Sequence, residues 1–241
     1  MRKKIWWYVG FFILLLVSFY LLIFKDTDFS KSNLPVINAD VQGFSFINQN
    51  GKTITENTVE NKVYVAEYFF TTCKGICPKM NANMRRVYDV FKEEPDFLIL
   101  SHTCMPETDS VSLLKEYEKK MLTGRLVKIG GSYQVEADTI IKNYTSTDKW
   151  NFLTGDKNAL YKMARESYLI DNDKTDSLQN ISDQFIHTQF FALVDKQRRV
   201  RGIYDGLKED EIQKLMVDIK DLLKEKRVNS RFMNGFSNTP N

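Results

Sequence analysis

The sequence predicts a three-layer α/β domain with a central mixed sheet, preceded by one N-terminal transmembrane helix. Three observations lead to this prediction: an uncharged run near the N-terminus, apolar segments that alternate with amphipathic ones, and a final pair of short apolar segments before a helix. The 241 residues are 43% hydrophobic and 27% charged, which suits one folded domain plus an anchor. The net charge is only +3 and no basic cluster is interleaved with aromatic residues, so we expect no nucleic-acid partner.

The N-terminus predicts the anchor. Residues 1–4 include the basic residues Arg2, Lys3 and Lys4, and residues 5–24 carry no charge, a run about as long as a helix needs to cross a hydrocarbon core of roughly 30 Å. A cleaved signal peptide is the competing interpretation, but its apolar region is usually about 7 to 15 residues long and ends in small residues. Here the run ends in bulky residues, which favours an uncleaved span in contact with membrane lipid.

Charge also predicts the orientation of this span. The basic residues 1–4 should stay in the cytoplasm, which places everything after residue 24 on the outer side. We therefore expect a single-pass protein of the bacterial inner (cytoplasmic) membrane with its globular domain in the oxidising periplasm. Residues 25–36 are polar and predict a tether, and residues 227–241 predict a disordered tail.

The domain itself is predicted over residues 37–226. Val63–Phe70 is apolar on both faces apart from Glu67, as in a central parallel strand covered by helices, and Pro78 suits the first turn of a helix that runs to Phe91. The other predicted elements are a hairpin at Gly43–Ile47 and Thr53–Thr55, strands at Phe97–Ser101 and Trp150–Leu153, helices at Ser110–Met121 and Asn158–Glu166, a second hairpin at Phe190–Val194 and Val200–Tyr204, and a helix at Glu209–Lys226. This βαβ-then-ββα order is that of thioredoxin, with additional material between Gly130 and Ser182.

The chemistry is predicted at Cys73 and Cys77, separated by three residues between the central strand and the first long helix of the domain. Ligand sites of α/β folds lie at this end of a strand. The helix dipole and Lys74 are expected to favour the thiolate form. A structural disulfide is the alternative interpretation in an oxidising compartment.

His187 sharpens the choice, because it stands just before the Phe190–Val194 strand, which pairs next to the cysteine loop in a thioredoxin-like fold. Two thiolates and one imidazole form a soft, mixed ligand set that suits copper, and the thiolates suit Cu(I) in particular. Zinc is the second choice, since two cysteines and one histidine can also hold it with an open fourth position. Cys73, Cys77 and His187 are therefore the predicted metal ligands.

Glu67 suggests a redox alternative. A carboxylate in an apolar strand is costly unless it is paired or used, and thioredoxins have a buried acid in the same relation to their thiols. We expect a raised pKa for Glu67 and thiol-disulfide activity that involves Cys73, Cys77 and Glu67. The opposing interpretation is that Glu67 pairs with a lysine at a sheet edge.

Four other sulfur- or imidazole-bearing residues have simpler structural interpretations. Cys104 and His102 follow the second strand and could assist the metal, although a lone cysteine at a strand end is more often a small buried hydrophobe. Met80 and Met84 lie one helical turn apart, and packing explains them more simply than thioether ligation.

Several motifs occur in a fixed order along the chain. They are Gly43-Phe44-Ser45-Phe46, Asn50-Gly51-Lys52, Phe70-Thr71-Thr72-Cys73, Cys77-Pro78, Pro106-Glu107-Thr108-Asp109, Trp150-Asn151-Phe152-Leu153-Thr154-Gly155, and His187 ahead of Phe191-Ala192-Leu193-Val194-Asp195. In order and spacing they resemble the Sco/SenC family. The resemblance implies a thioredoxin fold, copper on Cys73, Cys77 and His187, and a role in maturing the binuclear copper centre of cytochrome c oxidase.

Two functions therefore stand at this stage. The first is a copper metallochaperone whose partner is the copper-accepting subunit of a respiratory oxidase. The alternative is a membrane-tethered thiol-disulfide oxidoreductase that acts on the cysteines of a copper-site protein and is itself reduced by a thioredoxin-like partner. The longer cysteine spacer, and the absence of a proline near His187 where thioredoxin-type enzymes have a cis-proline, favour the copper function. A peroxidase of the peroxiredoxin type is a weaker third interpretation, because Arg85 is too far along the helix to support the thiol.

Overall fold

The structure is a computed structural model that describes residues 2–24, 32, 34–136, 144–171 and 188–225. His187 and the predicted tail at 227–241 lie outside the described residues, as does most of the predicted tether. The chain forms two compact units, Met1–Lys31 and Ser32–Asn241. The first contains helix α1 (Arg2–Phe24). Within the described residues, no helix meets both the length and the apolarity needed to cross a membrane, so the transmembrane helix stays a prediction.

The second unit is built on a seven-stranded mixed sheet. Its strands are β1 (Ser45–Asn48), β2 (Thr53–Thr55), β3 (Val63–Phe69), β4 (Phe97–Thr103), β7 (Trp150–Thr154), β8 (Phe190–Val194) and β9 (Val200–Asp205). They lie in the order β2-β1-β7-β4-β3-β8-β9. β3 pairs parallel with β4, which pairs parallel with β7, while β8 lies antiparallel on the other side of β3. The predicted mixed-sheet α/β fold is confirmed, and its strand bounds agree with the prediction to within two residues.

Helices cover both faces of the sheet. They are α2 (Cys77–Phe91), α3 (Val111–Thr123), α4 (Lys157–Lys162) with a π-helical continuation (Met163–Tyr168), and α5 (Glu209–Lys224). Apolar side chains of α2, α3 and α5 pack on the face that carries Val63 and Val65, whereas α4 and its π-helical continuation pack on the face that carries Tyr64 and Ala66. Successive β3 residues alternate between these layers because side chains of a strand point to opposite faces.

The predicted first hairpin, β1 and β2, extends the main sheet, because β1 pairs with β7. A hairpin of β5 (Arg125–Ile129) and β6 (Ser132–Glu136) was not expected; it forms a separate two-stranded sheet with a turn at Gly130 and Gly131, both with positive φ. Arg86 of α2 lies 4.1 Å from the centre of the Tyr133 ring, so this hairpin is fastened to α2 by a cation–π contact.

The chain joins the domain at the edge of the sheet where β3 begins. Asn38 forms an isolated antiparallel bridge with Val200, the first residue of β9. Arg201 is almost fully buried and donates to the carbonyl oxygen of Leu34 at 2.7 Å and to the Glu225 carboxylate at 3.1 and 3.2 Å. These charge-assisted bonds fix the first described segment of this unit to the end of α5.

Candidate functional site

The candidate site lies at the opposite edge, where the parallel strands end. Phe69 of β3 faces Thr103 of β4, and β7 runs in the same direction beside β4. β8 runs the other way, so it begins at this edge. Cys73 lies in the loop after β3, and Thr188 is the first described residue before β8. Both therefore belong to the same edge of the sheet.

The two cysteines of the loop are unequal. Cys73 is half-buried, and Cys77 is 5% exposed as the first residue of α2. All three thiols of the chain, including Cys104, are free. Burial, together with a hydrogen bond to Cys73, raises the pKa of Cys77 well above its usual range, and a backbone hydrogen bond to Phe70 opposes this only in part. Cys73 is therefore the accessible thiol and Cys77 the protected one.

This result corrects the expectation that the helix terminus would favour the thiolate at both positions. A helix dipole contributes at most ~2 kcal/mol at a partly buried position, whereas burial of a charged group shifts a pKa by up to about 3 to 5 units. For Cys77 the cost of desolvating the thiolate is the larger effect. A positive ion that binds the pair would reverse this balance, because a coordinating thiol loses its proton.

Glu67 lies on the same face of the sheet as Cys77. It is fully buried, its Oε1 accepts a hydrogen bond from Ser101 at 2.5 Å, and its Oε2 has no hydrogen-bond partner among the described residues. Trp150 donates to Ser101 at 2.8 Å and so fixes the direction of that hydroxyl. Burial raises the pKa of Glu67 to about 8, and the Ser101 bond lowers it only partly. The expected raised pKa is found, and the lysine partner of the opposing interpretation is not present among the described residues.

Asp109 is a buried acid at this edge that the sequence prediction did not assign to the site. Its carboxylate accepts hydrogen bonds from the Thr71 backbone N–H at 3.2 Å, from the Thr71 hydroxyl at 2.6 Å and from the Thr103 hydroxyl. It immediately precedes Ser110, the N-cap of α3. Asp109 therefore joins the end of β4 and the start of α3 to the loop that carries Cys73.

Cys104 and His102 belong to the opposite face of the sheet from Cys77, and Cys104 is close enough to Cys77 and Cys73 for their charges to raise its pKa further. Both are buried, and the His102 ring lies between Phe46, at 5.4 Å, and Tyr68, at 5.0 Å between ring centres. Burial lowers the pKa of His102 to about 3 and raises that of Cys104 well above its usual range. This placement supports the structural interpretation of both residues.

Met80 and Met84 are also packing residues. Both are at most 1% exposed and lie in the apolar layer between α2 and the sheet, beside Val65 and Ile99. The thioether ligand interpretation finds no support in this position.

Over the described part of the chain, no group of three or more histidine, cysteine, aspartate or glutamate side chains is arranged to hold a metal. Two of the three predicted ligands, Cys73 and Cys77, are brought together, and the third, His187, lies outside the described residues. Its neighbour Thr188 is buried and firmly held: its hydroxyl donates to the Ile170 carbonyl at 2.6 Å and accepts from the Phe190 N–H at 3.1 Å.

These features define a class: a thioredoxin-like protein with an unequal pair of thiols at the end of the central strand, separated by three residues. Comparison with known families specifies it further. The SCO1/SenC family matches residues 37–224, so the chain belongs to the SCO1/SenC family.

Individual relatives agree with this assignment. A curated SCO1 homolog of Bacillus subtilis is 28% identical over 186 residues, which cover 76% of this chain and 83% of the relative. The structure of BsSco, described as a member of the Sco family of cytochrome c oxidase assembly proteins with a disulfide switch, superposes with a TM-score of 0.58 at 27% identity, covering 81% of this chain and 100% of that one. Bradyrhizobium japonicum ScoI with copper bound has a TM-score of 0.52 at 18% identity, covering 76% and 99%, which supports the fold alone.

Proposed function

We propose that this protein is a copper metallochaperone: Cys73, Cys77 and His187 bind one copper ion, which is passed to the copper-accepting subunit of a respiratory oxidase. The observation that carries the proposal is the thiol pair at the edge of the sheet where Thr188, the residue after His187, is anchored. Family membership supports it, since BsSco belongs to the cytochrome c oxidase assembly proteins.

The inequality of the two thiols suits delivery. A half-buried Cys73 can be reached by a ligand of the acceptor, while Cys77 keeps its hold until the exchange is complete. Because each thiol must lose its proton to bind the metal, loading releases protons and weakens as the pH falls. The high pKa of Cys77 strengthens this dependence. In transfer by ligand exchange, the oxidation states of the copper ion and of the thiols do not change.

Cu(I) binding by the full-length protein in detergent tests this function. The reduced wild type is expected to bind one copper per chain, the His187→Ala variant to bind more weakly, and the Cys73→Ser/Cys77→Ser variant not to bind. Cys104→Ala is the matched control, because it removes a thiol from the opposite face and should bind like wild type. A wild type that binds no copper, or a Cys104→Ala variant as defective as the double variant, would contradict the proposal.

Glu67 favours a second function, a thiol-disulfide oxidoreductase that acts on the cysteines of a copper-site protein. In that reaction the two thiols become a disulfide, and the disulfide of the substrate takes up the two electrons and two protons. A buried carboxyl with a pKa of about 8 lies on the face of the sheet that carries Cys77. It is mostly protonated at pH 7, and its ionised form, which becomes more populated toward pH 8, is the form that accepts the Cys77 proton. A thioredoxin-like reductant would restore the dithiol.

The rate at which the reduced protein reduces a disulfide peptide distinguishes this second function. Glu67→Gln is expected to slow the reaction at about pH 7 by roughly 100-fold, the lower end of what a positioned acid–base group contributes. Glu116→Gln, an exposed glutamate of α3, is the control. Equal rates for wild type and Glu67→Gln would exclude a role of this carboxyl.

We further propose that residues 5–24 anchor the protein in the inner (cytoplasmic) membrane, with the domain in the periplasm. The uncharged run behind a basic N-terminus supports this orientation. Added protease is expected to degrade the domain in intact spheroplasts. Degradation only after lysis would contradict the orientation.

A further inference from the structure

The loop that carries Cys73 is exposed over most of its length. Lys74, Gly75 and Ile76 are all exposed, and a Cβ added to Gly75 would meet no atom within 4 Å. A loop of this kind loses conformational entropy when it is ordered. The loop must therefore be held by contacts with the domain if Cys73 and Cys77 are to keep a fixed distance and orientation.

Asp109 is a buried residue that binds this loop through hydrogen bonds. Its carboxylate is fully buried and accepts both the backbone N–H and the hydroxyl of Thr71, two residues before Cys73. The Cys73 N–H in turn donates to the carbonyl oxygen of Phe70 at 3.2 Å. Fixing Thr71 therefore fixes the turn from Phe70 to Cys73.

Asp109 is also bound to the end of β4, which is held by its pairing with β3. Thr103, the last residue of β4, donates its hydroxyl to the same carboxylate. The next residue, Cys104, donates its N–H to the carbonyl oxygen of Phe69 at 2.8 Å. The carboxylate thus transfers the rigidity of two paired strands to the loop.

We propose that Asp109 is a positioning residue that holds the Cys73 loop in the geometry required for copper binding. This inference rests on the proposed copper function. A buried carboxylate is costly unless it is fully hydrogen-bonded, and here its donors come from the loop and from β4. An asparagine side chain at this position would keep one acceptor oxygen but present an amide N–H₂ to groups that are themselves donors. The loop would then lose at least one of its bonds to the interior.

Two variants and a control test the proposal in the full-length protein in detergent. Asp109→Asn changes the acceptor, and Thr71→Val removes one donor with little change in shape. Asp218→Asn is the control, because Asp218 is a buried aspartate of α5 that accepts a 2.6 Å bond from Tyr204, away from the cysteine loop. Each protein is assayed for Cu(I) affinity, for the alkylation rate of Cys73 by iodoacetamide without metal, and for urea unfolding.

Loss of a hydrogen bond to a charged group changes an equilibrium by roughly 10- to 100-fold, so we expect Asp109→Asn and Thr71→Val to weaken Cu(I) binding about tenfold. Both should change the Cys73 alkylation rate by about threefold or more, because the exposure of that thiol depends on the loop. Asp218→Asn should unfold more easily and match wild type in both other assays. If Asp109→Asn does not fold, Thr71→Val decides by the same comparison.

Equal copper affinity and equal alkylation in wild type, Asp109→Asn and Thr71→Val would overturn the positioning role and leave the copper function intact. Effects of the same size in Asp218→Asn would also overturn it, since they would reflect stability alone. If the wild type binds no copper, the copper function fails, and the alkylation rates still decide whether Asp109 positions the loop.

Discussion

Replacing Glu67 with glutamine should remove a specific pH dependence of stability. Glutamine has nearly the same shape and can still accept the Ser101 hydrogen bond, but it does not titrate. In the wild type, burial raises the pKa of Glu67 from 4.5 to about 8. Below about pH 4.5 both the folded and the unfolded protein carry a neutral carboxyl, so there is no penalty.

Between these two pKa values the unfolded chain releases the proton while the folded protein keeps it. The folded protein then binds more protons than the unfolded one, so stability falls as the pH rises, and the full penalty is present above about pH 8. With 1.36 kcal/mol per pKa unit, the wild type should lose ~3 kcal/mol of unfolding free energy relative to Glu67→Gln between about pH 5 and about pH 7.5. Glu67 is fully buried, so solvent screening does not reduce this figure.

Urea unfolding of the reduced full-length protein, followed by far-ultraviolet circular dichroism over this pH range, measures the effect. The difference between the two proteins is the informative quantity. His102 also titrates, and its pKa, lowered from 6.5 to about 3, makes wild-type stability rise with pH over that interval, opposite to Glu67. Both proteins retain His102, so its contribution cancels.

Glu116→Gln, an exposed site on α3, should leave the pH profile parallel to that of wild type. If Glu67→Gln and wild type also run parallel from about pH 5 to about pH 7.5, then the carboxyl is not kept neutral by burial. The reasoning about Glu67, and the oxidoreductase function that depends on it, would then be refuted.

Three further predictions concern the site and its surroundings. Iodoacetamide should modify Cys73 at least ~10-fold faster than Cys77 in the reduced, metal-free protein, because Cys77 is 5% exposed and its pKa is raised; equal rates by mass spectrometry would contradict this inequality. Met84→Leu should cost less than ~1.5 kcal/mol in urea unfolding and leave Cu(I) affinity unchanged, and a loss of copper would instead make Met84 a ligand. Gly155→Ala should destabilise the protein by ~1–3 kcal/mol, since the new Cβ would lie 2.9 Å from Cδ1 of the buried Phe46; an unchanged urea midpoint would show that Phe46 can move.

The central elements could be predicted because their signals are local. β3 is apolar on both faces, and α3 begins at the N-cap Ser110 as its polar start suggests. The β5–β6 hairpin could not be predicted in the same way. Its residues are mostly exposed or half-buried, and it is held by a contact of Tyr133 with Arg86, which lies far away in the sequence.

The residues of the candidate site likewise differ in whether their signal is local in the sequence. The cysteine pair and the unusual acid Glu67 are visible in the sequence, because one is a spaced motif and the other interrupts an apolar strand. Asp109 gives only a weak signal, since an aspartate before a helix usually suggests a surface cap. Its donors, Thr71 and Thr103, come from the ends of two different strands, and only the parallel pairing of β3 with β4 brings them together.

The bonds of Arg201 to the Leu34 carbonyl and to Glu225 also bear on where a pulling force on the chain would act. Tension on the segment that starts at Ser32 would act first on its own contacts, the Ser32 N–H bond to Glu225 at 2.7 Å and the Arg201 bond to the Leu34 carbonyl at 2.7 Å, at the edge where β3 begins. The Cys73 loop lies a full strand length away, ~20 Å at the usual rise per residue. Pulling on this segment would therefore break contacts at the far end of the sheet before it displaced Cys73 or Cys77.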